Sequence, residues 1–214
     1  MMLLVPLAAA VALQTGQPHG QHGAAAILRK MTAVNASVKT YTVRIHFDAK
    51  VHSFLSLPLV LNATYYYKQP DKMQIVFDSV PSLAKQFQNF YASTGTPATW
   101  PKTYIVTLEP PQPGEPSDNG NVTLRLTPRN GGSLDHADIT VDTSTYGIVI
   151  QQWIYKDGSS INVAQFNETS GTYVLPSHQE ADFSFPKYKA HVAADYDSYD
   201  INVPIPDSVF KEPQ

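Results

Sequence analysis

The sequence predicts a mainly β, α+β domain: one strongly curved antiparallel sheet, an incomplete β-barrel of about ten or eleven strands, its concave side covered by helices. Three observations carry this. Apolar and polar residues alternate in short segments along most of the chain after residue 40. Short turn signals separate these segments, which suits antiparallel neighbours. Two stretches, one at the start and one in the middle, switch to helical spacing instead. A sheet of so many strands with so little helix must curl or fold on itself, and the two helical pieces can plug its hollow. Periodicity alone fits a sandwich or a closed barrel as well.

The first twelve or so residues, MMLLVPLAAAVA, form an apolar run too short to span a bilayer, which takes about twenty residues. It has the length of a secretion signal's apolar core, and Ala10-Val11-Ala12 offers a small-x-small cleavage site. Residues 1–22 therefore divide into a signal peptide and a flexible linker, and residues 23–214 form the domain. From Ala24 to Val38, Ile27, Met31, Val34 and Val38 recur at spacings of three and four, the stripe of an amphipathic helix. In YTVRIHFD, Tyr41, Val43, Ile45 and Phe47 share one face of a strand and Thr42, Arg44, His46 and Asp48 the other. HSFLSLPLVLNATYYY reads as a leucine-rich loop entering a second strand, with Leu61, Ala63, Tyr65 and Tyr67 on its apolar face. After the turn at KQPDK, Met73, Ile75 and Phe77 continue that face.

Between Ser79 and Trp100 the alternation lapses. Leu83, Phe87, Phe90 and Tyr91 fall at helical spacing, so SLAKQFQNFY is a short helix ended by Pro97 and Pro101. Strands resume with TYIVTLE, VTLRLTP, ADITVD, GIVIQQWIYKDG and INVAQFNE, with turn signals at RNGG and at Lys156-Asp157-Gly158. The tail supplies TYVLPSHQEADFSFP, KAHVAADYDSYDINV and finally PIPDSVF.

Composition narrows the function. With 214 residues, 43% hydrophobic, and a net charge of −3, the chain can bury a real core but offers no basic footprint for nucleic acid. The absence of cysteine excludes disulfides, thiolate catalysis and lipid attachment at a mature N-terminal cysteine. No Gly-x-Ser-x-Gly elbow and no phosphate-cradling glycine loop is present, so the chain does not read as an enzyme. The seven histidines lack metalloprotease spacing, and Asp195, Asp197 and Asp200 in DYDSYD lack the glycine turn and terminal glutamate of a calcium loop. Neither metal nor cofactor is expected.

The order of segments resembles the LolA/LolB-like lipoprotein-carrier superfamily, which includes outer-membrane lipoprotein-sorting proteins. The residues that carry the resemblance are AAILRKMTAVNASVKTY running into YTVRIHF, then YYYKQPDKMQIVF with its Lys-x-Pro turn. They continue with VTLRLTPRN, ITVDTSTYGIVIQQWIYKDGSSINVAQF and the closing NVPIPDSVF. No single motif is specific; their order over about 180 residues makes the match. Where the family's carriers have an arginine shortly after the proline turn, this chain has Gln74, with Lys72 two positions earlier. The resemblance implies an exported, periplasmic, monomeric protein that holds acyl chains of lipoproteins or other lipids in an apolar cavity. It also allows a sensor of envelope state working through a membrane-protein partner, and, more rarely, an enzyme on the same scaffold.

On that reading the cavity is lined by Val43, Ile45, Phe47, Leu61, Ala63, Tyr65, Tyr67, Met73 and Ile75. Phe87 and Phe90 of the second helix would serve as a lid. Tyrosine suits such a wall because it couples an apolar body to a polar tip. The same face would serve equally for closed core packing under the first helix, and which it does is left to the structure.

Overall fold

The computed structural model describes residues 19–53, 56–79, 94–110 and 120–211. The expected leader, the expected helix carrying Phe87 and Phe90, and Phe54 and Leu55 of the leucine-rich loop lie outside the described residues.

Helix α1 (His19–Val34) opens the described chain, beginning inside the stretch that the sequence suggests is a linker. Ala24, Leu28 and Met31 form its buried side. Gly23 lets it lie close to the sheet: a Cβ there would meet Leu108 Cδ2 at 3.0 Å. The helix stops four residues short of Val38, which is buried in the following turn. There Ala36 and Val38 donate from their backbone N–H to the carbonyls of Ala33 and Asn35.

The strands are β1 (Thr40–His52), β2 (Ser56–Lys68), β3 (Lys72–Phe77), β4 (Tyr104–Leu108), β5 (Asn121–Pro128), β6 (Leu134–Asp142), β7 (Ile148–Tyr155), β8 (Ser160–Ser170), β9 (Tyr173–Phe185), β10 (Tyr188–Tyr196) and β11 (Asp200–Ile201). A one-turn helix α2 (Trp100–Thr103) precedes β4, and Asp207–Phe210 forms a 3-10 turn at the end. All eleven strands belong to one sheet, ordered β3-β2-β1-β10-β9-β8-β7-β6-β5-β4, with β11 on the start of β1. Every described pairing is antiparallel. The sheet is a meander broken once, where β10 returns beside β1, and it does not close: β3 and β4 are its edges. The incomplete barrel expected from the sequence is what forms.

One apolar cluster fills the inner face. Along β1, Val43, Ile45, Phe47, Ala49 and Val51 are buried while Arg44, His46, Asp48 and Lys50 are exposed. Each large aliphatic side chain so buried contributes roughly 1.5–3 kcal/mol. The outer face carries ion pairs such as Arg44–Asp78 at 2.8 Å and His178–Asp195 at 2.6 Å. Most of these sit in water and add little each.

Two local expectations change. The leucine-rich segment is strand from Ser56 onward, because β1 runs thirteen residues and pairs it as far as His52↔Ser56. Pro58 is tolerated there because it lies beyond the described reach of β3, which ends at Ala63↔Phe77. PIPDSVF forms no strand. Two prolines deprive it of N–H donors, and Asp207 is held by Lys68 and Lys72 at 2.8 and 3.0 Å.

Candidate functional site

At the end of the sheet where β1 begins and β2 ends, the inner face parts from α1 and leaves a cavity of about 450 Å³. That lies within the usual range for small-molecule sites, roughly 300–1,000 Å³. Its roof is the last part of α1 and the turn after it: Met31, Thr32, Val34, Asn35 and Val38. One wall is aromatic. Val43↔Tyr65 and Tyr41↔Tyr67 face each other across β1 and β2, and the period of two brings Tyr41, Tyr65 and Tyr67 inward together. The Tyr41 ring stacks on Tyr67 at 5.0 Å and on Tyr65 at 5.8 Å, and meets Tyr199 edge-on at 5.4 Å. Met73, Pro70 and Trp100 extend this wall. Trp100 is itself buried, its indole N–H donating to Thr94 O at 2.9 Å.

The opposite wall is made of amides. Gln165 follows Ile161 and Val163 on the inner side of β8, and it pairs in register with Gln179 of β9. Tyr196 Oη donates to Gln179 Oε1, Gln179 Nε2 to Gln165 Oε1, Gln165 Nε2 to Asn167 Oδ1, and Asn167 Nδ2 to the Ile148 carbonyl; all four bonds are 2.7 Å. The register slips by one residue between Phe166 and Asn167, so β9 turns Pro176 rather than Ser177 toward Asn167. Such bulges re-aim side chains beside sites. Gly147 lets the β6–β7 turn close over this chain, since a Cβ there would stand 3.0 Å from Asn167 Nδ2. Its neighbour Tyr146 holds a left-handed φ of 55°, which few non-glycine residues adopt. Its hydroxyl accepts from Lys30 Nζ at 2.5 Å.

Besides the Lys30–Tyr146 bond, Asn35 ties the roof to the amide side. Asn35 donates through Nδ2 to the Val174 carbonyl at 2.8 Å and accepts from the Val174 N–H at 3.1 Å. Among the described residues, no Asp, Glu, Lys or Arg lines the cavity. Burial, reinforced by the neighbouring tyrosines, pushes the Tyr41 hydroxyl far above its usual range. Burial does the same to Tyr199. Tyr41 and Tyr199 are therefore uncharged at any ordinary pH.

The residues nominated from the sequence separate into three groups. Tyr65, Tyr67 and Met73 line the cavity. Val43, Ile45, Ala63 and Ile75 are on the same face but closed into the core, each 2% exposed or less. Phe47 and Leu61 border a separate space of about 20 Å³, with Phe77 and Phe183, large enough for about one water molecule. Phe87 and Phe90 are outside the described residues. Sequence reasoning did not nominate Tyr41, Trp100, Tyr196 or the amides. The amides did leave a signal: Gln165 and Gln179 occupy positions where the alternation calls for apolar residues.

No family model matches the sequence, and no curated protein matches it. Solved structures do. A LolA superfamily protein from Nitrosomonas europaea superposes with a TM-score of 0.57 at 13% identity, covering 88% of this chain and 97% of that one. The fold is similar to that of a LolA superfamily protein. A Vibrio parahaemolyticus domain assigned to outer membrane lipoprotein sorting is similar in fold to this chain, with a TM-score of 0.62, 9% identity, and 90% and 96% coverage. A DUF1329 family protein from Desulfovibrio piger reaches a TM-score of 0.65 at 13% identity, with 90% and 98% coverage. At such identities the LolA likeness concerns the fold.

Proposed function

We propose that this protein is an exported, periplasmic, monomeric carrier or binding protein that holds acyl chains of lipoproteins or other lipids. Residues 1–22 serve as its leader and residues 23–214 as the lipid-binding domain. The observation that carries the reading is the cavity: about 450 Å³, open between α1 and the tyrosine wall, with no charged lining side chain among the described residues. Its setting on a LolA fold supports the same reading, since one similar structure is assigned to lipoprotein sorting.

The energetics are sufficient. Each buried methylene contributes roughly 0.8 kcal/mol, so eight carbons supply about 6 kcal/mol before ordering costs. That permits useful, reversible binding without an ion pair. Tyr65, Tyr67 and Met73 would contact the chain, and the end of α1 would move to admit it, restrained by the two Asn35 bonds to Val174 and by Lys30 on Tyr146.

The test is gentle purification from the exporting host, followed by mass spectrometry of extracted lipid and titration with a dansyl-labelled methyl undecanoate. The reading expects acyl lipid near one equivalent, and probe binding that weakens in Met73→Asp. Absence of lipid together with absence of probe binding would end it.

A further inference from the structure

We infer that the cavity selects acyl groups joined through a neutral ester or amide linkage and rejects free fatty acids. The inference rests on the acyl-binding reading and adds the chemistry of the ligand's polar end.

The cavity's polar lining is concentrated on one wall, and among the described residues that wall carries no charge. Four amides, Gln151, Gln165, Asn167 and Gln179, line it together on β7, β8 and β9. Three of them, with Tyr196, form the chain of hydrogen bonds that ends on the Ile148 carbonyl. A primary amide has two N–H donors and an oxygen with two lone pairs. Along the chain Gln165 and Asn167 each donate once and accept once. Among the described residues, each therefore keeps one donor and one acceptor for a ligand. Gln151 sits on the inner side of β7, paired in register with Ile139 and Val163.

An ester or amide carbonyl can take an N–H from this wall, and a glycerol hydroxyl or an amide N–H can donate to its oxygens. A carboxylate has no donor for the lone pairs and, among the described lining residues, meets no cation. Among the described residues, Lys30 and Lys39 touch the lining from exposed positions, Lys30 on Tyr146 Oη and Lys39 on Gln69 Oε1. Neither stands among the lining residues. Desolvating an ionised carboxylate without a partner is costly, so the acid is disfavoured at equal chain length. The discrimination is assigned to the wall that carries these four primary amides.

The experiment is competition against the dansyl-labelled methyl undecanoate at neutral pH, with three lauroyl competitors: monolaurin, an N-lauroyl tripeptide amide, and laurate. Both neutral competitors should displace the probe, with laurate roughly tenfold weaker or more. In Gln165→Leu the neutral competitors should lose roughly threefold to tenfold while laurate barely changes. Preference for the peptide amide over monolaurin points to lipoprotein as the source, and the reverse to a glycerolipid; either ranking above laurate upholds the inference. Laurate competing as well as monolaurin in the native protein overturns it and leaves the acyl cavity standing. Failure of the probe itself to bind overturns the acyl reading and this inference together. Should Gln165→Leu not fold, the native ranking still decides.

Discussion

Two aspartate substitutions on the same sheet face should have opposite consequences. Leu61 is 6% exposed, packed with Phe47, Phe77 and Phe183 around a space of only about 20 Å³. Removing the leucine there costs roughly 2–5 kcal/mol. Its aspartate replacement adds the desolvation of a carboxylate that one water could at best partly hydrate. A loss of roughly 5 kcal/mol or more is a large share of the 5–15 kcal/mol that stabilises an ordinary domain. At about 2–4 °C per kcal/mol for a chain of this size, Leu61→Asp should melt some 10–20 °C lower or not fold. Met73 is half-buried and lines the open cavity, where a carboxylate keeps contact with water. Met73→Asp should melt within a few degrees of the native protein and lose dansyl-ester binding about tenfold or more. Calorimetry and fluorescence titration on both variants decide it. A Leu61→Asp protein of native stability, or a Met73→Asp protein that binds the probe undiminished, would refute the division of this face into closed core and open wall.

Asn35→Ala should cost about 1–3 kcal/mol, since it removes both side-chain bonds to Val174, and hydrogen exchange at the C-terminal end of α1 should quicken. The Asp207 carboxyl is pulled down to about 2 by hydrogen bonds and charge from Lys68 and Lys72. A depressed carboxyl stabilises the fold above its unfolded value, near 4, and that contribution disappears as pH falls through about 2. Limited proteolysis between pH 4 and 2 should accordingly release the C-terminal segment progressively, and Asp207→Asn should release it equally at both. Hydrogen bonding to Asp195 raises His178 above the ordinary histidine value, with Glu180 adding to it. Its stabilising effect is complete below about 6.5 and fades as pH rises through the raised value. In Asp195→Asn an NMR titration of His178 should shift back down.

Much of the fold was legible because an inward-facing strand residue is marked twice, by its own polarity and by that of its neighbours. Val43, Ile45 and Phe47 against Arg44, His46 and Asp48 is such a stretch, and all six face as their alternation requires. Strand order was not legible, since nothing local tells β10 to return beside β1. The site was half legible. Period two puts Tyr65 and Tyr67 on the inner face beside Ala63, but it cannot say where along that face the sheet and α1 part. That boundary depends on where α1 ends and on the one-residue slip near Asn167, both products of tertiary packing. The amides escaped for a different reason. Gln165 and Gln179 read as interruptions of a strand pattern until register places them opposite each other.

The account stands or falls on what occupies the space under α1. A crystal structure of the protein soaked with a bromine-tagged monolaurin locates the chain by anomalous scattering. The account predicts bromine between Tyr41, Tyr65 and Tyr67 on one side and the amide wall on the other, with the ester carbonyl within hydrogen-bond reach of Gln165 or Asn167. Bromine bound on the outer face, with this cavity holding only ordered water, would contradict it.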